Sequence, residues 1–75
     1  MRYHFNIREG TEVIPDEEGS ELANLMAARK EARASLRELA CEDIRNGRPA
    51  HAWQVEIATC KGTVLDTVGV RFFEN

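Results

Sequence analysis

Several marks of common protein classes are scarce in this chain. Two cysteines, Cys41 and Cys60, are too few for a disulfide framework. Neither stands in a C-x-x-C or Cys/His spacing that would hold zinc. The five glycines, at 10, 19, 47, 62 and 69, are dispersed, so no glycine-rich loop cradles a phosphate. Two prolines and no biased tract exclude a low-complexity or repeat protein. No hydrophobic run approaches the roughly 20 residues of a membrane-spanning helix. Met1 leads directly into the alternating Tyr3-His4-Phe5-Asn6-Ile7, which is not the pattern of a secretory leader. The expectation is a complete cytoplasmic chain whose thiols stay reduced. A large excess of one charge is missing too: ten Lys and Arg face thirteen Asp and Glu, for a net charge of −3. That balance argues against a phosphate backbone as main partner.

What is present is one small domain over residues 1–75, near the lower size limit for a single core. Tyr3, Phe5 and Ile7 alternate with polar residues, predicting a strand over about 2–8. Glu9-Gly10 signals a turn, and Glu12-Val13-Ile14 reads as a short return strand stopped by Pro15. Between Glu9 and Glu21 there are six acidic residues and no basic one, centred on Pro15-Asp16-Glu17-Glu18-Gly19. Ser20 and Asn24 both qualify as a helix N-cap. Asn24 is preferred, because an unbroken run of helix formers starts at Leu25 and stops at Asn46-Gly47. Residues 25–46 would then form a helix of roughly 33 Å, the main cover of the sheet. Trp53, Val55 and Ile57 predict a strand over 52–59, and Lys61-Gly62 turns the chain back. The segment from Thr63 to about Phe72 is rich in β-branched residues, and its inward face is ambiguous. Asp66 and Gly69 are expected to mark an edge or a bulge there. The fold class is α+β: a β-β-α-β-β domain with one long helix on one face of a three- to four-stranded, mainly antiparallel sheet.

At ~100° per residue, Leu25, Ala28, Ala32, Leu36 and Leu39 share one stripe of the helix, and its alanines permit close approach to the sheet. Leu22, Met26, Ala40 and Ile44 form a second apolar edge beside Arg29 and Arg33. One reading is a helix that overhangs its sheet, with arginine stems lying across the margin. The sharper reading is an interface of Met26, Arg29, Arg33, Ala40 and Ile44 with a second chain, most simply in a homodimer. Arg29, Arg33 and Arg37 repeat every four residues beside Lys30, but Glu31, Glu38, Glu42 and Asp43 offer ion-pair neighbours. No aromatic residue interleaves with these arginines to stack bases, so nucleic acid is not the expected partner.

No constellation specifies catalysis, a cofactor or a metal. Asp16, Glu17, Glu18 and Glu21 cluster where a helix N-terminus favours negative charge, without the spacing of a calcium loop. His4 falls on the outer face of the first strand and His51 beside a loop, each an ordinary surface histidine in expectation. Ser20 and Ser35 lie outside any nucleophile elbow. Cys41 is expected on the solvated side of the helix and Cys60 at a hairpin turn. Trp53, Tyr3, Phe5, Phe72 and Phe73 are assigned to the core of so short a chain.

The order Arg2-Tyr3-x-Phe5-x-Ile7-Arg8-x-Gly10, Ile14-Pro15-Asp16-Glu17-Glu18-Gly19-x-Glu21-Leu22, an Ala-Ala-Arg-rich helix, Val55-Glu56-Ile57 and Gly62-x-Val64-Leu65 resembles a family of short stand-alone bacterial proteins known as a domain of unknown function. The resemblance covers nearly the whole chain. It implies a stand-alone cytoplasmic domain and carries over no catalytic residue. The chain departs from that family in having Glu9-Gly10 for an Asp-Gly turn, and Thr59-Cys60-Lys61-Gly62 for an acidic final hairpin. A second, fold-level similarity runs to HicB-like antitoxins, which implies a regulatory partner of a nucleic-acid enzyme. The functional expectation is a non-enzymatic interaction module that self-associates, with the antitoxin-like role as the alternative.

Overall fold

The computed structural model describes residues 1–47 and 53–69. Five strands and one helix follow in the order β1 (Arg2–Glu9), β2 (Glu12–Ile14), β3 (Ser20–Glu21), α1 (Leu25–Arg45), β4 (Gln54–Ala58) and β5 (Val64–Gly69). The sheet runs β2-β1-β4-β5, every pairing is antiparallel, and β3 pairs with the first residues of β1. This is the α+β architecture with one helix on one face that the alternation implied. The starts of the loop and strand expected at 48–52, His51 among them, lie outside the described residues, as do Phe72 and Phe73.

Period-two alternation sends Tyr3, Phe5 and Ile7 of β1 toward the helix, beside Val55 and Ile57 of β4. Tyr3, Ala28, Ala32, Leu36, Val55 and Ile57 form the buried core, with Leu22, Leu25, Trp53 and Val68 packed around it. Val55 and Ile57 are fully enclosed, and burying side chains of this size contributes about 1.5–3 kcal/mol each. The ambiguous face of the last segment resolves here. Val68 packs on the core and Asp66 shares its side of β5, while across the Ile57/Ala58 step the register skips Leu65, which puts the bulge on β5. The β4–β5 turn closes by bonds from Thr59 N to Thr63 O and from Gly62 N to Thr59 O, both 2.9 Å.

Asn24 caps α1: its Oδ1 accepts from Ala27 N at 2.9 Å from an extended backbone. The helix ends at Asn46, with Gly47 at φ +74° donating to Ile44 O. Its enclosed residues are Ala28, Ala32, Leu36, Ala40 and Asp43, a single stripe in which three alanines bring the backbone close to the sheet. Ala40 thus belongs to the core stripe, not to the second apolar edge where the wheel placed it. The wheel also left Asp43 among the surface charges. It is 2% exposed and accepts from the Trp53 indole N–H at 2.8 Å.

The acidic segment does a different job from the one expected of it. The first turn of α1 carries no acidic residue, so the segment does not serve the helix dipole. Instead it fills a gap along β1. Residues 7–9 of β1 pair with β2 and residues 2–3 with β3, which leaves the edge between them open. Asp16 closes it: Oδ2 accepts from Phe5 N at 3.0 Å and Oδ1 from Gly19 N at 3.2 Å, while Asp16 N donates to Asn6 Oδ1 at 2.9 Å. Arg2 donates to Glu18 O at 2.7 Å. Ser20, one of the two cap candidates, pairs with Tyr3 in β3.

Gly19 fits this loop for two reasons. Its φ is +73°, and an added Cβ would stand 2.9 Å from Tyr3 O. Gly10 has a similar φ of +61° but open space around it. Gly10→Ala should therefore cost about 1 kcal/mol of stability from the left-handed backbone alone. Gly19→Ala should cost about 1–2 kcal/mol more, because backbone must move. Urea unfolding of both variants checks the difference, and equal losses would contradict the close approach.

Candidate interaction surface

His4 lies under the 15–19 loop rather than out in solvent. Its Nδ1 is 2.7 Å from Asp16 O, and because a carbonyl can only accept, Nδ1 carries the proton. Nε2 is enclosed and has no hydrogen-bond partner among the described residues. The ring is half-buried and works as a strut for the loop, which the alternation alone, placing it on the outer face, did not reveal. Asn6, Asp16, Glu17, Thr59, Cys60 and Gly62 line a shallow depression beside it. Among the described residues no three His, Cys, Asp or Glu side chains gather as a metal-binding group. Cys41 and Cys60 are both exposed, unpaired thiols.

The residues expected at an interface separate into three groups. Ala40 is enclosed by its own chain. Arg29 is anchored: its Nε donates to Asp66 Oδ2 at 2.6 Å, tying α1 to β5. Met26 and Ile44 are exposed, by 75% and 57%. They stand 18 residues apart, about 27 Å along the helix, so they do not make one apolar patch. Between them lies a shallow groove with Met26 and Ala27 as its apolar floor and Asn24, Lys30, Arg33 and Arg37 around it.

Charges on α1 are segregated rather than paired. Arg29, Arg33 and Arg37 repeat at four-residue spacing, so each stacks on a like charge, and Glu38 and Glu42 do the same on another face. Among the described residues none of Lys30, Arg33 and Arg37 comes within ion-pair distance of a carboxylate, and neither Glu31, Glu38 nor Glu42 supplies the expected partner. The signal was legible in the spacing: an Arg at every fourth position defines a basic stripe.

Two carboxylates carry the electrostatic imprint of their partners. Asp66 is held below its ordinary value by the hydrogen bond from Arg29, then by the Thr67 backbone N–H and by the charges of Arg29 and Arg33. Glu21 is lowered by its hydrogen bond from the N-terminal ammonium, then by that group's charge and Arg2. The acidic segment otherwise presents Glu12, Glu17 and Glu18 to solvent, beside Ile14 at 59% exposure. Among the described residues none of these three carboxylates has an ion-pair partner.

The outer edge of β5 is the other open feature, since within the described sheet β5 pairs with β4 alone. Residues 2–71 match the family model described as Domain of unknown function (DUF6894). The chain belongs to this family. The match takes in all five strands and the helix of this DUF6894 domain, including the Pro-Asp-Glu-Glu-Gly segment that carried the resemblance. In this DUF6894 chain that segment is the patch on the edge of β1. Neither the curated proteins nor the solved structures returned a match.

The lowered Asp66 sets a direction for acid sensitivity. A carboxyl whose folded value lies below its unfolded one adds stability above the unfolded value of about 4. That contribution disappears as pH falls through the folded value. Asp66→Asn should therefore lower the melting temperature at neutral pH and leave it unchanged once both carboxyl states are protonated. Thermal scans from pH 7 downward check this; a deficit that persists in acid would show that the ion pair is not its source.

Proposed function

We propose that this DUF6894 chain is a non-enzymatic, cytoplasmic interaction module that binds copies of itself through an open edge of its sheet. The observation that carries this reading is the composition of β5. Sheet edges in soluble proteins are usually blunted by Lys, Pro, an edge bulge or a covering element. The six residues of β5 include neither Lys nor Pro, and the bulge at Leu65 interrupts only its start, leaving Asp66–Gly69 in regular register with β4. Their one charged side chain, Asp66, is turned to Arg29 on the helix. Val64 and Leu65 are 48% and 39% exposed. Thr67 N donates to Asp66 Oδ1 at 2.9 Å, a local bond that a ladder partner can replace. An edge of this kind accepts an added strand, with backbone bonds giving affinity and alternate side chains giving register.

The polar groups with the most definite geometry also support binding over catalysis. Asp16, Asn6 and His4 are spent on holding a loop against β1, and Asp43 on holding Trp53. Large apolar side chains, Met26, Ile14 and Ile44 among them, are exposed, and such groups are the material of association.

Light scattering on a sizing column tests the reading. The mass should rise above the 8.5 kDa of one chain as concentration increases. Leu65→Lys, which places a charge on the edge strand, should return it to a single chain with an unchanged circular dichroism spectrum. A wild-type chain that stays monomeric at every concentration would overturn the proposal.

A further inference from the structure

We infer that two copies paired through β5 hold a multivalent oxyanion of the phosphate class between the cationic flanks of their helices, and that this anion sets how strongly they associate. The inference rests on edge-to-edge self-association and names the ligand that regulates it.

The flank of α1 above β5 carries cations without counter-charge. Arg29 donates to Asp66 Oδ2 at 2.6 Å, and the charge of Arg33 also acts on Asp66. Both contacts place this flank over the last strand of the sheet order. Arg37 follows one turn further along, and Lys30, Arg33 and Arg37 line a single groove. All three are exposed, and among the described residues none comes within ion-pair distance of a carboxylate. The acidic residues of the helix are directed elsewhere. Asp43 turns inward to Trp53, and at ~100° per residue Glu31, Glu38 and Glu42 fall on the other flank of the exposed face. Asp66 is taken by Arg29, so Lys30, Arg33 and Arg37 stay uncompensated.

Edge pairing brings two such flanks together. A two-fold axis normal to the sheet pairs β5 with its copy, continues the antiparallel order already present, and keeps both helices on one face. Paired strands stand about 4.8 Å apart, so the flanks above them face each other across the axis. Like charges placed this way oppose association. Monovalent salt only screens them, over about 8 Å at physiological ionic strength. A phosphate-class anion does more, because its oxygens accept charge-assisted hydrogen bonds from the guanidinium and ammonium groups of both copies at once. The site is complete only in the pair. An anion that binds the pair and not the single chain shifts association toward the pair by mass action. No aromatic side chain lines the groove to stack a base, so the phosphate group itself is what the site reads.

Light scattering at one fixed ionic strength, in sodium chloride, sodium phosphate or sodium diphosphate, tests the site. The protein concentration at half-association should fall in that order, by at least about tenfold from chloride to diphosphate. The double variant Arg33→Gln, Arg37→Gln should lose this order and should associate in chloride more readily than the wild type. Lys30→Gln should move the same way by a smaller amount. None of these side chains is enclosed, and circular dichroism verifies the fold of each variant. Adenosine diphosphate separates the two sources of such a group: an effect equal to that of diphosphate shows that an ester is accepted, and none shows that only the free anion fits. If the wild type associates equally in all three salts, or if the double variant keeps their order, the anion site is overturned and edge pairing stands. If the wild type stays monomeric in every salt, the edge-binding reading falls first.

Discussion

The bond from the Phe5 backbone N–H to the Asp16 carboxylate is the contact on which the rest of the sheet's outer edge depends. A strand that lies between two short partners leaves backbone donors uncovered, and an uncovered donor out of water costs about 1–3 kcal/mol. Here β2 and β3 cover only the two ends of β1, and one carboxylate bridges the interval by accepting from Phe5 N and Gly19 N together. Around that bond the loop is fixed by Asn6, His4 and Arg2, and Gly19 lets it approach Tyr3 closely enough to do so. The same loop then leaves Glu17 and Glu18 pointing outward. A structural solution for β1 thus creates the acidic surface of the domain.

The helix shows a parallel economy. Three alanines on its enclosed stripe set it low over the sheet, and Asp43, at the end of that stripe, orients Trp53. With its inner face so narrow, much of α1 remains exposed, and its cations fall in a line that ion pairs on the helix do not neutralise. Only Arg29 is drawn in, by Asp66. That single bond joins helix to edge strand and decides which side of the molecule is basic.

Much of the fold was legible because it follows from periodicity and punctuation. The alternation in Tyr3-Phe5-Ile7 and Val55-Ile57, the Asn24 cap and the Asn46-Gly47 stop each leave a local signal. What was not legible depends on groups distant in sequence. Nothing near Asp16 announces that Phe5 needs an acceptor, so its cluster resembled a helix-dipole motif. Asp43 looked like a surface charge because its partner, Trp53, comes ten residues later. Ala40 sits between two stripes on the wheel, and only the position of the sheet decides to which it belongs. For the interaction surface, the residue spacing revealed the basic stripe, whereas the openness of β5 required the strand order.

The account centres on an edge strand that is free in one chain and covered when chains meet. Amide hydrogen exchange of β5, followed across protein concentration, reads that directly. The amides of β5 should exchange more slowly as concentration rises, while those of β4, already paired on both sides, stay constant. Exchange at β5 that does not depend on concentration would contradict it.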